Sequence, residues 1–202
     1  NNILVGIIAN TLGTLKYGQG DYSAAHGMFL RALDIERRTI GDHSGVYAVT
    51  LHNLAALAAV QGKYGEALEE FTQVVRILET RFPPNHERIL TARNQLASTL
   101  VQLHQYKHAE KIFIEVLRVE RAAHPKSHPA LAATLNNLAY LYQDEGRLEE
   151  SQRFYQEALD MFTMLVGRKS RPVAVLLGNI GSVAQGLGDI RSAEANYKEA
   201  LD

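Results

Sequence analysis

Apolar positions along the chain follow two nested periods. Between Ser44 and Glu79, Leu51, Leu54, Ala55 and Ala58 fall at i, i+3, i+4 and i+7, the spacing that lines one face of a helix. Gln61-Gly62-Lys63-Tyr64 interrupts the run, and Gly62 suits the left-handed residue on which helices commonly close. A second helical pattern follows through Ala67, Leu68, Phe71, Val74, Val75 and Leu78. The segment is thus predicted to be a helical hairpin. It returns every 42 residues in four columns that stay in phase over the chain: Tyr22, Tyr64, Tyr106, Leu148 and Ile190; Leu12, Leu54, Leu96, Leu138 and Ile180; Ala25, Ala67, Ala109, Ser151 and Ala193; Phe29, Phe71, Phe113, Tyr155 and Tyr197.

Strand patterns are missing, and Pro83-Pro84, Pro125, Pro129 and Pro172 punctuate the joints between units. A single hairpin of this size cannot bury both its apolar faces, so successive hairpins are expected to stack. The period predicts units at about 2–43, 44–85, 86–127, 128–169 and 170–202, forming one solenoid over residues 1–202. Gly13, Ala55, Ala97, Ala139 and Gly181 place small residues where the two helices of a hairpin come closest, facing the aromatic column. The last unit presents Tyr197 and Leu201 with no polar capping helix after them, so further chain, a partner or self-association is expected to cover them. The opening Asn1-Asn2, without an initiator Met, reads as a segment of a longer protein.

The pattern Leu-Gly/Ala, Gly-x-Tyr, Ala-x3-Phe and Ala-Leu resembles the tetratricopeptide repeat, usually 34 residues long. The 42-residue form, with His128-Pro129-Ala130-Leu131-Ala132-Ala133-Thr134-Leu135-Asn136-Asn137-Leu138-Ala139, then Gly146-Arg147-Leu148-Glu149-Glu150-Ser151 and Tyr155-Gln156-Glu157-Ala158-Leu159, resembles the repeats of kinesin light chains. The resemblance implies an all-α, right-handed superhelical solenoid of about five helical hairpins. It also implies a non-catalytic adaptor or scaffold that holds partner peptide segments in a concave groove. Similar units are found in the sensor arms of nucleotide-binding signalling ATPases, which is the alternative reading. A dimerising scaffold that binds no peptide is a third.

At 100° per residue, the face of each first helix opposite its apolar stripe is marked in unit two by Asn53, Ala56 and Val60. The matching sets are Thr11, Thr14 and Gly18; Gln95, Ser98 and Gln102; Asn137, Tyr140 and Asp144; Asn179, Ser182 and Gly186. Four of the five residues Thr11, Asn53, Gln95, Asn137 and Asn179 carry a side-chain amide, which both donates and accepts. Asn is a mediocre residue in mid-helix, so propensity does not explain its recurrence. The expected peptide-binding set is therefore Thr11, Asn53, Gln95, Asn137, Tyr140, Asp144 and Asn179. The competing reading has the amides tying neighbouring helices together or simply facing water. Kinesin light chains hold acidic cargo through basic groove residues, whereas Asp144 is the one formal charge in this set and Arg93 is expected at most at its rim.

Composition narrows the rest. Lys and Arg total 21 against 22 for Asp and Glu, a balance that leaves no electrostatic footprint for nucleic acid or anionic lipid. The longest apolar runs fall far short of the roughly 18–20 residues a membrane span needs. Cysteine is absent, which excludes disulfides and thiol chemistry within the chain. A cytoplasmic, cytoskeleton-associated location fits these features and the resemblance. His104 and His108 have the spacing of two metal ligands on a helix, but His104 occupies the position of Gly62 at a helix end; His124 and His128 flank Pro125. Glu69-Glu70 and Glu149-Glu150 are expected to open second helices, where negative charge suits the dipole, rather than to face each other across a cleft. No enzyme, metal or cofactor site is expected.

Overall fold

The computed structural model describes residues 2–123 and 127–201. Among them stand ten α-helices and no strand: α1 (Ile3–Gly18), α2 (Tyr22–Ile40), α3 (Gly45–Val60), α4 (Tyr64–Glu79), α5 (Glu87–Gln102), α6 (Tyr106–Ala123), α7 (Pro129–Asp144), α8 (Leu148–Val166), α9 (Arg171–Gly186) and α10 (Ile190–Leu201). Consecutive first helices, α1, α3, α5, α7 and α9, begin 42 residues apart, and so do the second helices α2 to α10. The sequence period passes into the backbone without slippage.

Local chemistry fixes these boundaries. The residues before the first helices, Asn2, Ser44, His86, His128 and Ser170, form a capping column, and the first four accept an amide hydrogen bond from the helix they open. Gly20, Gly62, Gly146 and Gly188 turn each first helix into its second with φ between 74° and 84°. In the third repeat His104 takes that place at φ 55°, the one non-glycine residue described there. A side chain in this region costs about 1 kcal/mol, and the position is a turn rather than a helix face. The structure thus separates His104 from His108, which lies in the first turn of α6; His124 lies outside the described residues.

The helices gather into two compact units. In the first, Asn1–His104, α1 packs on α2, α2 on α3, α3 on α4 and α4 on α5. In the second, Gln105–Asp202, α6 packs on α7, α7 on α8, α8 on α9 and α9 on α10. The hairpins α1–α2, α3–α4 and α7–α8 close on Phe29, Phe71 and Tyr155; these rings, and Phe113 on α6, are buried to within 1%. The small residue opposite is a steric requirement where glycine occupies it. A methyl group on Gly13 would lie 2.5 Å from Cε1 of Phe29, and one on Gly181 2.8 Å from Cε1 of Tyr197. In the second repeat Ala55 and Phe71 share a core cluster.

Where the aromatic ring carries a hydroxyl, the sequence supplies an acceptor. Tyr155 donates to Oε1 of Gln143 at 3.0 Å, and Tyr197 to Oε1 of Gln185 at 3.3 Å. The repeats with Phe29, Phe71 and Phe113 place Tyr17, Ala59 and Val101 at the glutamine position instead. Gln143 also donates to Oγ of Ser182, linking α7 to α9.

Carboxyl groups interrupt the apolar packing at Glu36, Glu70 and Glu120. Glu36 is fully buried between α2 and α3, its Oε1 accepting from Oγ1 of Thr50 at 2.9 Å while Oε2 has no hydrogen-bond partner. Burial pushes its pKa up, against the hydrogen bond from Thr50. Glu70 stands in the second turn of α4, not at its opening, at a position held by Met28, Ile112 and Phe154 in other repeats. Burial, then the charges of Glu66 and Glu69, push it up to about 7.

Gln143→Leu leaves the buried Tyr155 hydroxyl unpaired and lowers stability by about 1–3 kcal/mol in urea unfolding, and adding Tyr155→Phe recovers most of the loss. Glu70 keeps its proton in the folded state up to about pH 7, whereas the unfolded residue releases it near 4.5. Stability contributed by this group is therefore complete below pH 4.5 and declines as pH rises towards 7. Glu70→Gln removes that slope and gains about 1 kcal/mol at pH 8, a value discounted for the side chain's partial solvent screening; thermal melts across that range check both.

Candidate functional site

Each first helix turns its exposed arc away from the second helices. On α3 the buried residues Tyr47, Thr50, Leu51, Leu54, Leu57 and Ala58 span one side, and the centre of the opposite side falls on Val49, Ala56 and Val60. Asn53 lies at the edge of that arc nearest the preceding repeat, His52 at the edge nearest the next. One repeating exposed position is missed by the amide pattern: Ile7, Val49, Thr91, Ala133 and Val175 are exposed on all five first helices. Their signal in the sequence is an apolar or small residue lying off the core stripe, about 40° from the amide column.

In the first unit, hollows lie between neighbouring first helices of this wall. One, of about 290 Å³, opens between α3 and α5; Val49, His52, Arg88 and Thr91 form its mouth, and Val74 and Leu78 of α4 its floor. Another, of about 120 Å³, lies between α1 and α3 over Phe29, bordered by Thr14, Tyr17, Asn53 and Ala56. His52 sits edge-on to Phe71, with centroids 5.3 Å apart, and burial holds its pKa below the usual imidazole value. At neutral pH it presents an uncharged ring. Arg88 lies 5.8 Å over Phe82, with Glu87 beside it at the same hollow. Arg93 does not reach the rim: its guanidinium meets Oε1 of Glu79 at 2.6 Å, on the side of α5 that packs against α4.

The expected peptide-binding residues occupy different situations. Asn53 is partly buried and donates to Oδ1 of Asn10 at 2.8 Å, tying α3 to α1. Thr11 is exposed, its hydroxyl turned back to the carbonyl of Ile7. Gln95 is exposed on α5. In the second unit, Asn137 accepts from the neighbouring Asn136 at 3.3 Å, and Asn179 is partly buried on α9. Tyr140 is 43% exposed. Asp144, at the end of α7, accepts the hydroxyl of Tyr106 at 2.8 Å, joining that helix to the start of α6. The amide column thus borders the open face, and Asn53 serves as a tie between first helices.

The second unit carries a dense ionic cluster. Arg147 pairs with Glu150 at 2.8 Å, Glu110 at 3.1 Å and Glu145 at 3.2 Å, with its guanidinium 4.2 Å over the ring of Tyr142. Tyr142 donates to Glu110, and burial with that bond pushes its pKa up to about 12. Every charge in the cluster has a partner within the fold, which makes it a brace between α6, α7 and α8. Among the described residues there is no grouping of three or more His, Asp or Glu able to hold a metal ion, and no helix is long and apolar enough to cross a membrane.

Comparison with known proteins places this arrangement. Among solved structures, BtubC (BKLC) from P. vanneervenii superposes with a TM-score of 0.81 at 23% identity, over 98% of this chain and 80% of that one. The nearly identical TPR-like repeats of a candidate kinesin light chain from Podosopora anserina superpose with a TM-score of 0.80 at 18% identity, over 96% and 91%. A Rap protein complexed with Competence and Sporulation Factor gives 0.83 at 13% identity; it covers the whole of this chain, which spans about half of that protein, 54%. At these identities the likeness is one of fold. No curated protein matches the sequence. The tetratricopeptide repeat family profile matches residues 4–80, 47–122, 87–164 and 130–202, nearly the full length. With its helical hairpins in phase and kinesin light chain-like structures among its neighbours, the chain belongs to the tetratricopeptide repeat family.

Proposed function

We propose that the chain is a non-catalytic protein-interaction module, a kinesin light chain-like adaptor or scaffold that holds an extended partner segment along the concave groove formed by its first helices. The observation that carries this reading is the apolar row led by Ile7 and Val49, left open to solvent beside a 290 Å³ hollow floored by Val74 and Leu78. A surface of that kind favours a partner with an apolar anchor side chain, and such anchors commonly dominate short-peptide binding. Thr11, Asn53, Gln95, Asn137 and Asn179 line its edge, where each amide that reaches the partner's main chain contributes about 0.5–1.5 kcal/mol. Tyr140 and Asp144 extend the same face on α7. The neutral His52 and the opposite charges of Arg88 and Glu87 at one hollow favour an uncharged anchor over an acidic peptide. The Rap protein complex among the similar structures supports the view that this fold holds other molecules. A cytoplasmic, cytoskeleton-associated setting belongs to the same proposal, on the likeness to kinesin light chains.

Panning a phage-displayed library of random peptides on the purified chain tests this. Enriched peptides are expected to share an apolar anchor. Val49→Asp weakens them by more than about tenfold, or about 1.4 kcal/mol, with little change in melting temperature because Val49 is already exposed. Asn53→Ala combined with Asn137→Ala weakens them to a similar degree. Peptides that bind both variants as tightly as the unmodified chain place the interaction elsewhere. A fall in melting temperature with binding retained makes the amides ties and nothing more.

A further inference from the structure

One wall of the hollow between α3 and α5 can change its charge. His52 stands at the mouth, half-buried, its ring edge-on to Phe71 of α4, with Val74 and Leu78 as the floor. The residue departs from the repeat pattern: Asn10, Asn94 and Asn136 hold the same position in three other repeats, and Gly178 holds it in the last. An ionisable ring thus stands, beside this hollow, where the sister repeats carry an uncharged group.

The surroundings decide what a proton on that ring would meet. From α4 come the uncharged Phe71, Val74 and Leu78, and from α3 itself Ala48 and Val49. From α5 come Glu87 and Arg88, opposite in charge and both exposed, with the Arg88 guanidinium drawn over Phe82. Glu70 precedes Phe71 on α4, and its charge acts on Tyr47, outside the hollow. Burial lowers the pKa of His52 from its ordinary 6.5. An apolar side chain entering the hollow removes water that the ring still touches, which disfavours the charged form further.

Resting on the groove reading above, we propose that this hollow is a proton-linked anchor site: a partner's apolar side chain binds against the uncharged His52 ring, and acid releases it. Above about pH 6.5 the ring is uncharged with or without the partner, so affinity there is independent of it. Below the free chain's own value, a proton must leave before the anchor enters. Affinity then falls by up to about tenfold per pH unit. The fall ends where the ring takes up its proton even with the partner in place.

The probe is a peptide enriched by panning on the chain, weakened by Val49→Asp, and chosen to lack Asp, Glu and His; with blocked ends it carries no proton of its own to this range. Its affinity is expected to be level between about pH 8 and 7 and to fall at least about threefold by about pH 5. Melting curves at each pH record that the chain stays folded. Calorimetry near pH 5.5, in two buffers of different ionisation heat, is expected to register proton release on binding. His52→Asn, which installs the residue of three sister repeats, still binds at neutral pH and loses both effects; His52→Gln replaces it should that variant melt early. His86 is the rival source of pH dependence, because its Nδ1 accepts the amide of Arg88 at the start of α5 and does so only unprotonated. His86→Asn and Glu70→Gln are each expected to keep the dependence. Affinity that stays level to about pH 5, or a dependence that survives His52→Asn, overturns the proposal and leaves the groove reading standing. A library that yields no such peptide overturns both.

Discussion

A ring resting on a residue with almost no side chain holds the hairpins within each unit shut. Phe29 over Gly13 is the tightest of the glycine cases, and Phe71 shares its core cluster with Ala55. Burying a Phe of this kind is worth about 3–5 kcal/mol against its replacement by Ala, far more than any single polar contact in the molecule. The close approach also determines which way each first helix faces. With one arc held against the ring and the flanks taken up by neighbouring repeats, what remains outward is Val49 and its equivalents. The open wall is thus a geometric by-product of closing the hairpins.

Most of this architecture could be read before any coordinates. Repetition is the reason: each column is sampled five times, so a weak preference for Ala or Phe at one site becomes a clear rule over the set. The turn glycines follow the same rule, and His104 keeps the left-handed turn despite its side chain. The face for binding was legible only as a direction. A helical wheel identified the Asn53 column but could not separate the centre of the arc from its edge, since that depends on how far adjacent first helices lean together. The bond from Asn53 to Asn10 arises from that leaning. Glu70 departs from expectation for a related reason: an acidic pair near a helix start suggests dipole stabilisation, whereas this carboxyl turns inward at a position that three other repeats fill with Met28, Ile112 and Phe154 and the last with Asn196.

Polar groups in the interior follow the repeats in a coordinated way. Hydroxyl-bearing rings occur with glutamine at the matching first-helix position, and phenyl rings with Tyr17, Ala59 or Val101. Such pairing keeps each substitution neutral in hydrogen bonding while allowing repeats to diverge. The ionic cluster about Arg147 follows a related logic at the surface, where three carboxylates and a ring fix one guanidinium and join three helices.

The buried pair of Glu36 and Thr50 has a consequence for assembly of the chain itself. The same two residue types recur, also buried, as Glu120 and Thr134, whereas the intervening junction carries Leu78 and Ala92 and the last one Phe162 and Leu176. Junction chemistry therefore alternates along a sequence whose hairpins otherwise look interchangeable. A nascent hairpin that skipped a neighbour would bring the Glu36 carboxyl against Ala92, with no hydroxyl to receive it and no water to replace one. The carboxyl thus works as an address label, penalising out-of-order stacking while the apolar columns, being nearly identical, remain indifferent to it.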